Sequence, residues 1–330
     1  MVTKKFNIMR HKFLGHYKPT EDELSNIWNN ALFVLDTNVL LDFFRLSEKS
    51  SQQLFEVIEK IQDKLWLPYQ VAKEYHKNLN KVISDQVAKY KESIGTLEKF
   101  NKLISEKRNH PFLDEDINSE IISFCEKIEG KLKEKEDSVK NLVINNPTKE
   151  KLCKIFTGKI GEPFSEERIQ NIYKEGEERY KQSIPPGYKD NVKGTPERYG
   201  DLIIWNQIIE ISKEKEKPII LITSDIKEDW FLRVLGMTVG PRPELIEEFT
   251  NKTKHEFYLY TLEQFLSVSK TKGIIDIEQA TIEEVKDRTI NNGENPNQSS
   301  IIVPNDENTI AEPNTSETKY VNNSMENNTL

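Results

Sequence analysis

The chain has little of what builds disulfide frameworks and zinc sites. Of its 330 residues, two are cysteine and five are histidine. Cys125 and Cys153 lack the paired spacing of a zinc motif, and the histidines are scattered along the chain, which argues against a zinc site. Scarce cysteine is consistent with the reducing cytosol, so we predict a cytoplasmic protein.

Long apolar runs are also missing. No apolar stretch is long enough to cross a bilayer. The first residues lack the apolar core and small-residue cleavage site of a secretory signal. We therefore expect no membrane partner.

The excess of negative charge is mild and uneven. The formal net charge is −8, with 31% charged and 36% hydrophobic residues. Residues 269–330 hold five Lys or Arg against eleven Asp or Glu, which accounts for −6 of that charge. The remainder of the chain is nearly neutral, so overall acidity does not exclude an anionic partner and local patches decide.

Two apolar runs predict buried strands of a parallel sheet. Residues 31–35 and 218–223 are almost continuously apolar, as expected for strands covered on both faces. Segments with helical periodicity lie between them, for example residues 69–82, which follow a short predicted strand at 65–67. Strands that alternate with helices predict an α/β fold with a central parallel sheet.

Polar segments divide the rest of the chain. Residues 1–30 form an N-terminal arm with a short helix near 21–29, where Thr20 and Glu23 have capping-box spacing. The predicted main domain covers residues 31–268 and includes a long, charge-rich helical insertion at about 84–183. We interpret the charge-rich part as a solvated hairpin of helices that breaks near residues 109–111. The Asn-rich residues 269–330 are predicted to be a disordered tail.

Acidic residues stand where a parallel sheet usually binds ligands. Asp36 and Asp225 each follow a predicted strand, and the carboxyl ends of parallel strands are ligand sites. Glu74 borders the apolar stripe of a predicted helix, and Asp201 opens another helix. As the alternative, Asp36 and Asp201 only cap helices, and Glu74 reaches water at the edge of its stripe.

Asp229 follows Asp225 by four residues. If a helix begins here, the two carboxylates share one face and repel each other unless a cation compensates. The alternative is a solvated helix start, with Lys227 between them giving partial relief. Clustered carboxylates suit Mg²⁺ or Mn²⁺, which bind phosphate oxygens and activate water for phosphodiester hydrolysis.

In this arrangement the chain resembles PIN-domain nucleases, and most closely the larger PIN-like group with a helical insertion. The similarity spans residues 31–268 and rests on the order and spacing of several motifs. These are 35–38 (LDTN), 71–74 (VAKE), 158–161 (GKIG), 185–190 (PPGYKD), 199–205 (YGDLIIW), 223–225 (TSD), 227–230 (KEDW) and 241–245 (PRPEL).

The resemblance implies a three-layer α/β/α fold and a Mg²⁺- or Mn²⁺-dependent nuclease that acts on RNA in preference to DNA, in a toxin, stress or phage-defence setting. It also admits a homodimer, and an inhibitory or defence-system protein as a partner. The metal carboxylates it implies are Asp36, Glu74, Asp201 and Asp225, with Asp229 as a fifth. Asn38 and Thr223 would orient the site by hydrogen bonds.

One loop-like stretch before Asp201 carries cations that could contact phosphates. Its candidate substrate-binding residues are Lys189, Lys193 and Arg198, with tyrosines beside them for stacking on a base. The alternative is an ordinary soluble loop in which Asp190 pairs with a lysine.

Two other functions stay open on the sequence alone. The first is a catalytically silent PIN-like binding module whose helical arm docks a partner. The second is a phosphohydrolase that uses Asp36 as a nucleophile, although that chemistry commonly wants another aspartate two residues later, where this chain has Asn38.

Overall fold

A computed structural model describes residues 8–105 and 113–292. The strands are β1 (Leu32–Leu35), β2 (Leu65–Trp66), β3 (Ile219–Thr223), β4 (Phe231–Val234), β5 (Met237–Pro241) and β6 (Phe257–Thr261). The helices are α1 (Ile8–Lys12), α2 (Glu21–Asn30), α3 (Thr37–Asp42), α4 (Glu48–Lys60), α5 (Tyr69–Ser105), α6 (Glu115–Asn141), α7 (Pro147–Ile155), α8 (Glu166–Lys181), α9 (Gly200–Lys215), α10 (Pro243–Thr253), α11 (Leu262–Thr271) and α12 (Gln279–Asn292).

The centre of the fold is a parallel four-stranded sheet of order β2-β1-β3-β6, flanked by helices. β1 pairs with β3 from Leu32 opposite Ile219 to Leu35 opposite Ile222. Every residue of β1 and of β3 is buried, which matches the continuous apolar runs of a sheet covered on both faces. The predicted three-layer α/β/α fold with a central parallel sheet is confirmed.

The N-terminal arm and the insertion are mainly helical among the residues that the structure describes. The hydroxyl of Thr20 accepts the Glu23 N–H, and the Glu23 carboxylate accepts the Thr20 N–H, so α2 begins with the predicted capping box. α5 runs for 37 residues and packs along α6. The predicted break near residues 109–111 lies outside the described residues.

The helix that the sequence analysis considered at Asp225 does not form, so the two carboxylates do not share a helix face. Residues 224–230 form a bend and turns, and the antiparallel hairpin β4–β5 follows. A helix here would have to begin in a segment whose side chains and N–H groups are engaged across the site. Lys227 N–H donates to Asp225 Oδ1 over 3.0 Å in a tight turn, and Lys227 Nζ reaches across the site to Asp190 Oδ1, 3.1 Å away.

Helical structure extends past residue 269 into the stretch that was predicted to be a disordered tail. α11 continues to Thr271, and α12 packs against α4 and α11. Ile282 and Val285, three residues apart on α12, are buried, so this short apolar stripe is enough to fix the helix. Residues 293–330 lie outside the described residues.

Candidate active site

Four acidic residues from distant segments line one cavity. Asp36 follows β1, Asp225 follows β3, Glu74 lies in α5, and Asp201 lies in the first turn of α9. The cavity has a volume of about 710 Å³, and all four carboxylate-bearing residues line it. Because β1 and β3 are parallel neighbours, their carboxyl ends open at the same edge of the sheet, as the sequence predicted.

Asp36 is both a helix cap and a member of this cluster. The Thr37 N–H donates to Asp36 Oδ1 over 2.7 Å at the start of α3, and the hydroxyl of Thr223 donates to Asp36 Oδ2 over 2.8 Å. Burial raises the pKa of the Asp36 carboxyl to about 6, and the negative charges of Glu74 and Asp225 add to the rise. The two interpretations of Asp36 in the sequence are therefore compatible.

Glu74 is held by two donors and a close glycine. The Thr37 hydroxyl donates to Glu74 Oε2 over 3.1 Å, and Gln70 Nε2 donates to Glu74 Oε1 over 2.7 Å. A Cβ atom at position 200 would lie 2.6 Å from Glu74 Oε1, so Gly200 lets the carboxylate approach the start of α9. Asn38, which was predicted to orient the site, lines the cavity, but among the described contacts Thr37 supplies the hydrogen bond.

Asp201 shares the electrostatics of the cluster. Burial raises the pKa of Asp201 well above its usual value, and the charges of Asp190, Asp225 and Asp36 act in the same direction. The indole N–H of Trp230 donates to Asp201 Oδ2 over 3.3 Å. The neighbouring negative charges that raise the pKa values of Asp36 and Asp201 also favour the arrival of a cation.

An ammonium group already lies among these acids. Lys227 Nζ is 2.8 Å from Asp225 Oδ2 and 3.1 Å from Asp190 Oδ1. Burial alone would lower the pKa of Lys227, but the negative charges of Asp201, Asp225 and Asp190 outweigh it and raise the pKa. Asp190 also accepts from Lys193 Nζ over 2.7 Å, so the suggested pairing of Asp190 with lysine is observed.

Asp229 is not brought to the cavity. Its side chain is fully buried, and its Oδ2 accepts the backbone N–H groups of Gly187 and Lys189 over 3.0 and 3.2 Å. Gly187 has φ of 92°, a conformation that favours glycine. These hydrogen bonds tie Asp229 to the 185–190 segment. Asp190, and not Asp229, lines the cavity wall.

Of the three predicted substrate-binding cations, only Lys193 lines the cavity. Lys189 Nζ pairs with Glu228 Oε1 over 2.5 Å. The guanidinium of Arg198 lies over the Tyr199 ring, 4.6 Å from its centroid. These two cations therefore have partners within the chain, Lys189 in the 224–230 segment and Arg198 in the adjacent Tyr199.

Sequence reasoning missed a buried acid behind the site. Asp42 is 5% exposed, and its Oδ2 accepts the Ser224 hydroxyl over 2.6 Å. Arg45 Nη1 donates to Asp42 Oδ1 over 3.2 Å. Ser224 directly precedes Asp225, so Asp42 anchors the turn that presents Asp225. The signal was available, since a lone charge inside an apolar run must be paired when it is buried.

Comparison with known proteins identifies the domain. A family model described as PIN like domain matches residues 32–245. Searches of curated proteins and of solved structures gave no significant match. No helix within the described residues is long and apolar enough to cross a membrane. PIN-like domains are generally nucleases that bind nucleic acid and use divalent metal ions, and this chain belongs to the PIN-like domain family.

Proposed function

We propose that the protein is a Mg²⁺- or Mn²⁺-dependent endonuclease that hydrolyses phosphodiester bonds in RNA. The observation that carries the proposal is the convergence of Asp36, Glu74, Asp201 and Asp225 on one cavity from four separate segments. Membership of the PIN-like family supports nuclease chemistry. The preference for RNA over DNA and the choice of Mg²⁺ or Mn²⁺ rest on the resemblance to PIN-domain nucleases.

The donor set fits such an ion in its chemistry. Mg²⁺ prefers carboxylate oxygens, is commonly held by one or two carboxylates, and keeps several waters for itself and for substrate phosphates. Within residues 8–105 and 113–292, no group of three or more His, Cys, Asp or Glu side chains is arranged to hold a metal ion. A site that shares its ion with water and phosphate does not require such a group.

Asp36 and Asp225 would hold the ion from neighbouring strands, and Glu74 and Asp201 would face it from α5 and α9. When bound, the ion would activate water and neutralise charge on the phosphodiester. The chain's own contribution is orientation: Thr223 and Thr37 fix the Asp36 carboxylate by hydrogen bonds.

Lys227 also contributes to the proposed chemistry. Its ammonium lies between Asp225 and Asp190 and lines the cavity. It therefore offsets the repulsion among the acids and presents positive charge on the wall that an anionic phosphate would approach. Lys227 is accordingly proposed to position Asp225 and to attract the substrate.

The test is cleavage of single-stranded RNA and DNA of one sequence by the wild type and Asp36→Asn in parallel. We expect the wild type to cut RNA with Mg²⁺ or Mn²⁺ and not in excess chelator, and Asp36→Asn to be inactive. Full activity in chelator would refute the metal dependence, and cleavage of DNA alone would refute the assignment as a ribonuclease.

The biological part of the proposal is a cytoplasmic toxin, stress or phage-defence role with an inhibitory or defence-system protein as partner, and it rests on the resemblance alone. Growth and RNA integrity in bacteria that express the wild type or Asp36→Asn test it. A biological effect that survives Asp36→Asn would favour the silent binding module instead.

A further inference from the structure

One row of side chains on α5 leads out of the cavity. Tyr69, Lys73, Lys77 and Lys81 follow one another at four-residue spacing, and all four line the cavity. Residues four apart on an α-helix lie above one another on the same face. They form a continuous strip of one aromatic ring and three cations, which we call the α5 ridge.

The α5 ridge runs beside the row that carries the acidic centre. Gln70, Glu74 and Asn78 line the same cavity one residue further along the helix. At about 1.5 Å per residue, positions 69 to 81 span about 18 Å. That length equals about five nucleotides at the ~3.4 Å spacing of a stacked strand.

The three lysines of the ridge are exposed. Lys77 Nζ lies 2.6 Å from Glu197 Oε1, but the two side chains are 60% and 49% exposed, and such surface pairs contribute little. Among the described contacts, Lys227 pairs with Asp225 and Asp190, and no lysine of the ridge pairs with any of the four acids of the centre. The ridge therefore holds positive charge for an anion from outside the chain.

Tyr69 gives the ridge a second kind of contact. The ring is 38% exposed at the start of α5. An aromatic face beside a track of cations is the combination by which proteins hold unpaired bases and their phosphates. The concave cavity of about 710 Å³ also lies within the ~300–1,000 Å³ of clefts that enclose drug-sized ligands, which suits a few unpaired nucleotides.

We propose that a single-stranded nucleic acid lies with its phosphates along the α5 ridge, with one base stacked on Tyr69 and the reacting phosphodiester beside Glu74. This inference rests on the proposed function for the identity of the strand as RNA. It replaces the 189–198 loop with α5 as the main path of the substrate.

The test compares two triple variants of the same helix. The first is Lys73→Gln, Lys77→Gln and Lys81→Gln. The matched control is Lys91→Gln, Lys99→Gln and Lys102→Gln, which removes the same charge from exposed positions of α5 outside the cavity. Affinity for a fluorescent 12-nucleotide RNA, and for DNA of the same sequence, is measured by anisotropy in chelator across a salt series.

Each phosphate contact on a single strand contributes about −0.7 to the slope of log K against log salt. Loss of three contacts reduces the slope by about 2 and weakens binding about 100-fold at 0.1 M salt. The control triple should bind like the wild type. Tyr69→Leu should weaken binding about tenfold or more with the salt slope unchanged, because stacking carries no charge.

Equal weakening by both triples, or wild-type binding by the ridge triple, would overturn the inference. Tighter binding of a duplex than of the single strand would overturn the proposed geometry. Thermal unfolding of each variant checks that the fold is kept. Wild-type cleavage with Mn²⁺ is measured in parallel: ridge-dependent binding without cleavage ends the nuclease proposal alone, and cleavage without ridge dependence ends this inference alone.

Discussion

Asp36→Asn removes a carboxylate that the fold holds in an unfavourable environment. Burial and the neighbouring negative charges raise its pKa from 3.8 to about 6. Because the folded pKa lies above the unfolded value, the folded state binds the proton more tightly, and ionisation of Asp36 costs stability. The penalty is absent below pH 3.8 and complete above pH 6. A shift of about two pKa units corresponds to about 3 kcal/mol.

Asparagine keeps the shape of the side chain without its charge. Its carbonyl oxygen can accept the Thr37 N–H as Asp36 Oδ1 does, and its amide can face the Thr223 hydroxyl. In chelator at pH 7, we expect Asp36→Asn to raise the free energy of unfolding by about 3 kcal/mol, or Tm by about 6–12 °C for a domain of this size, while cleavage is lost.

Denaturant unfolding in chelator between pH 4 and pH 8 measures this difference. The gain should shrink as pH falls through 6 and vanish near pH 4. Added Mn²⁺ at about 100 times its Kd should stabilise the wild type by about 2.7 kcal/mol and the variant far less. Asp85→Asn, at an exposed position of α5 outside the cavity, is the control and should change neither stability nor cleavage. A loss of stability at pH 7, or a gain that does not depend on pH, would refute the reasoning.

Three further predictions concern the surroundings of the site. Gly200→Ala should lower kcat at least tenfold while Tm changes little, because the new Cβ displaces only the flexible end of Glu74 and alanine favours the helix; steady-state kinetics and thermal unfolding check this. Asp229→Asn should keep most of the cleavage activity, whereas Asp229→Ala leaves two backbone donors without their acceptor and should cost about 2–5 kcal/mol in denaturant unfolding; an inactive but fully stable Asp229→Asn would restore its metal role. Burial would raise the pKa of Glu248, but Arg179 and Lys252 lower it to about 2. The ionised Glu248 therefore stabilises the fold above pH 4.5, and this stabilisation is lost as pH falls toward 2. Glu248→Gln should lower the free energy of unfolding by about 3 kcal/mol at pH 7 and by progressively less in unfolding curves below pH 4.5.

The parts of the fold that the sequence predicts well are those with a local signal. β3 lies within the predicted run 218–223 because an unbroken apolar run between polar residues has few alternatives. α2 begins at the predicted capping box, since the two side chains involved are three residues apart. These signals are set by neighbours along the chain and survive in the tertiary structure.

The hairpin β4–β5 lacked such a signal. Its tip consists of Leu235 and Gly236, both at positive φ, where hairpins usually carry Asn-Gly or Asp-Gly. Because leucine occupies the first position, turn-residue preferences do not predict this turn. α12 was missed for a similar reason, because its packing depends on only a few apolar side chains in a polar stretch.

For the site, too, the sequence predicts one part and not the other. Placement of acids at strand ends follows from the sheet topology, so Asp36 and Asp225 could be assigned to one edge from sequence. The direction of each side chain could not: Asp229 turns inward to two backbone N–H groups, and Asp190 turns to the cavity. Such choices are decided by hydrogen bonds between residues about 40 positions apart.

The pairing of β6 with β3 limits how far the chain can be truncated from its C-terminal side. The family match ends at residue 245, but β6 pairs with β3 over five residues, from Ile219 opposite Phe257 to Thr223 opposite Thr261. A fragment that stops at the match would leave β3 with a row of unpaired N–H and C=O groups, which is a template for intermolecular strand pairing. Fragments should therefore extend at least through β6, and fragments that lack β6 are expected to aggregate.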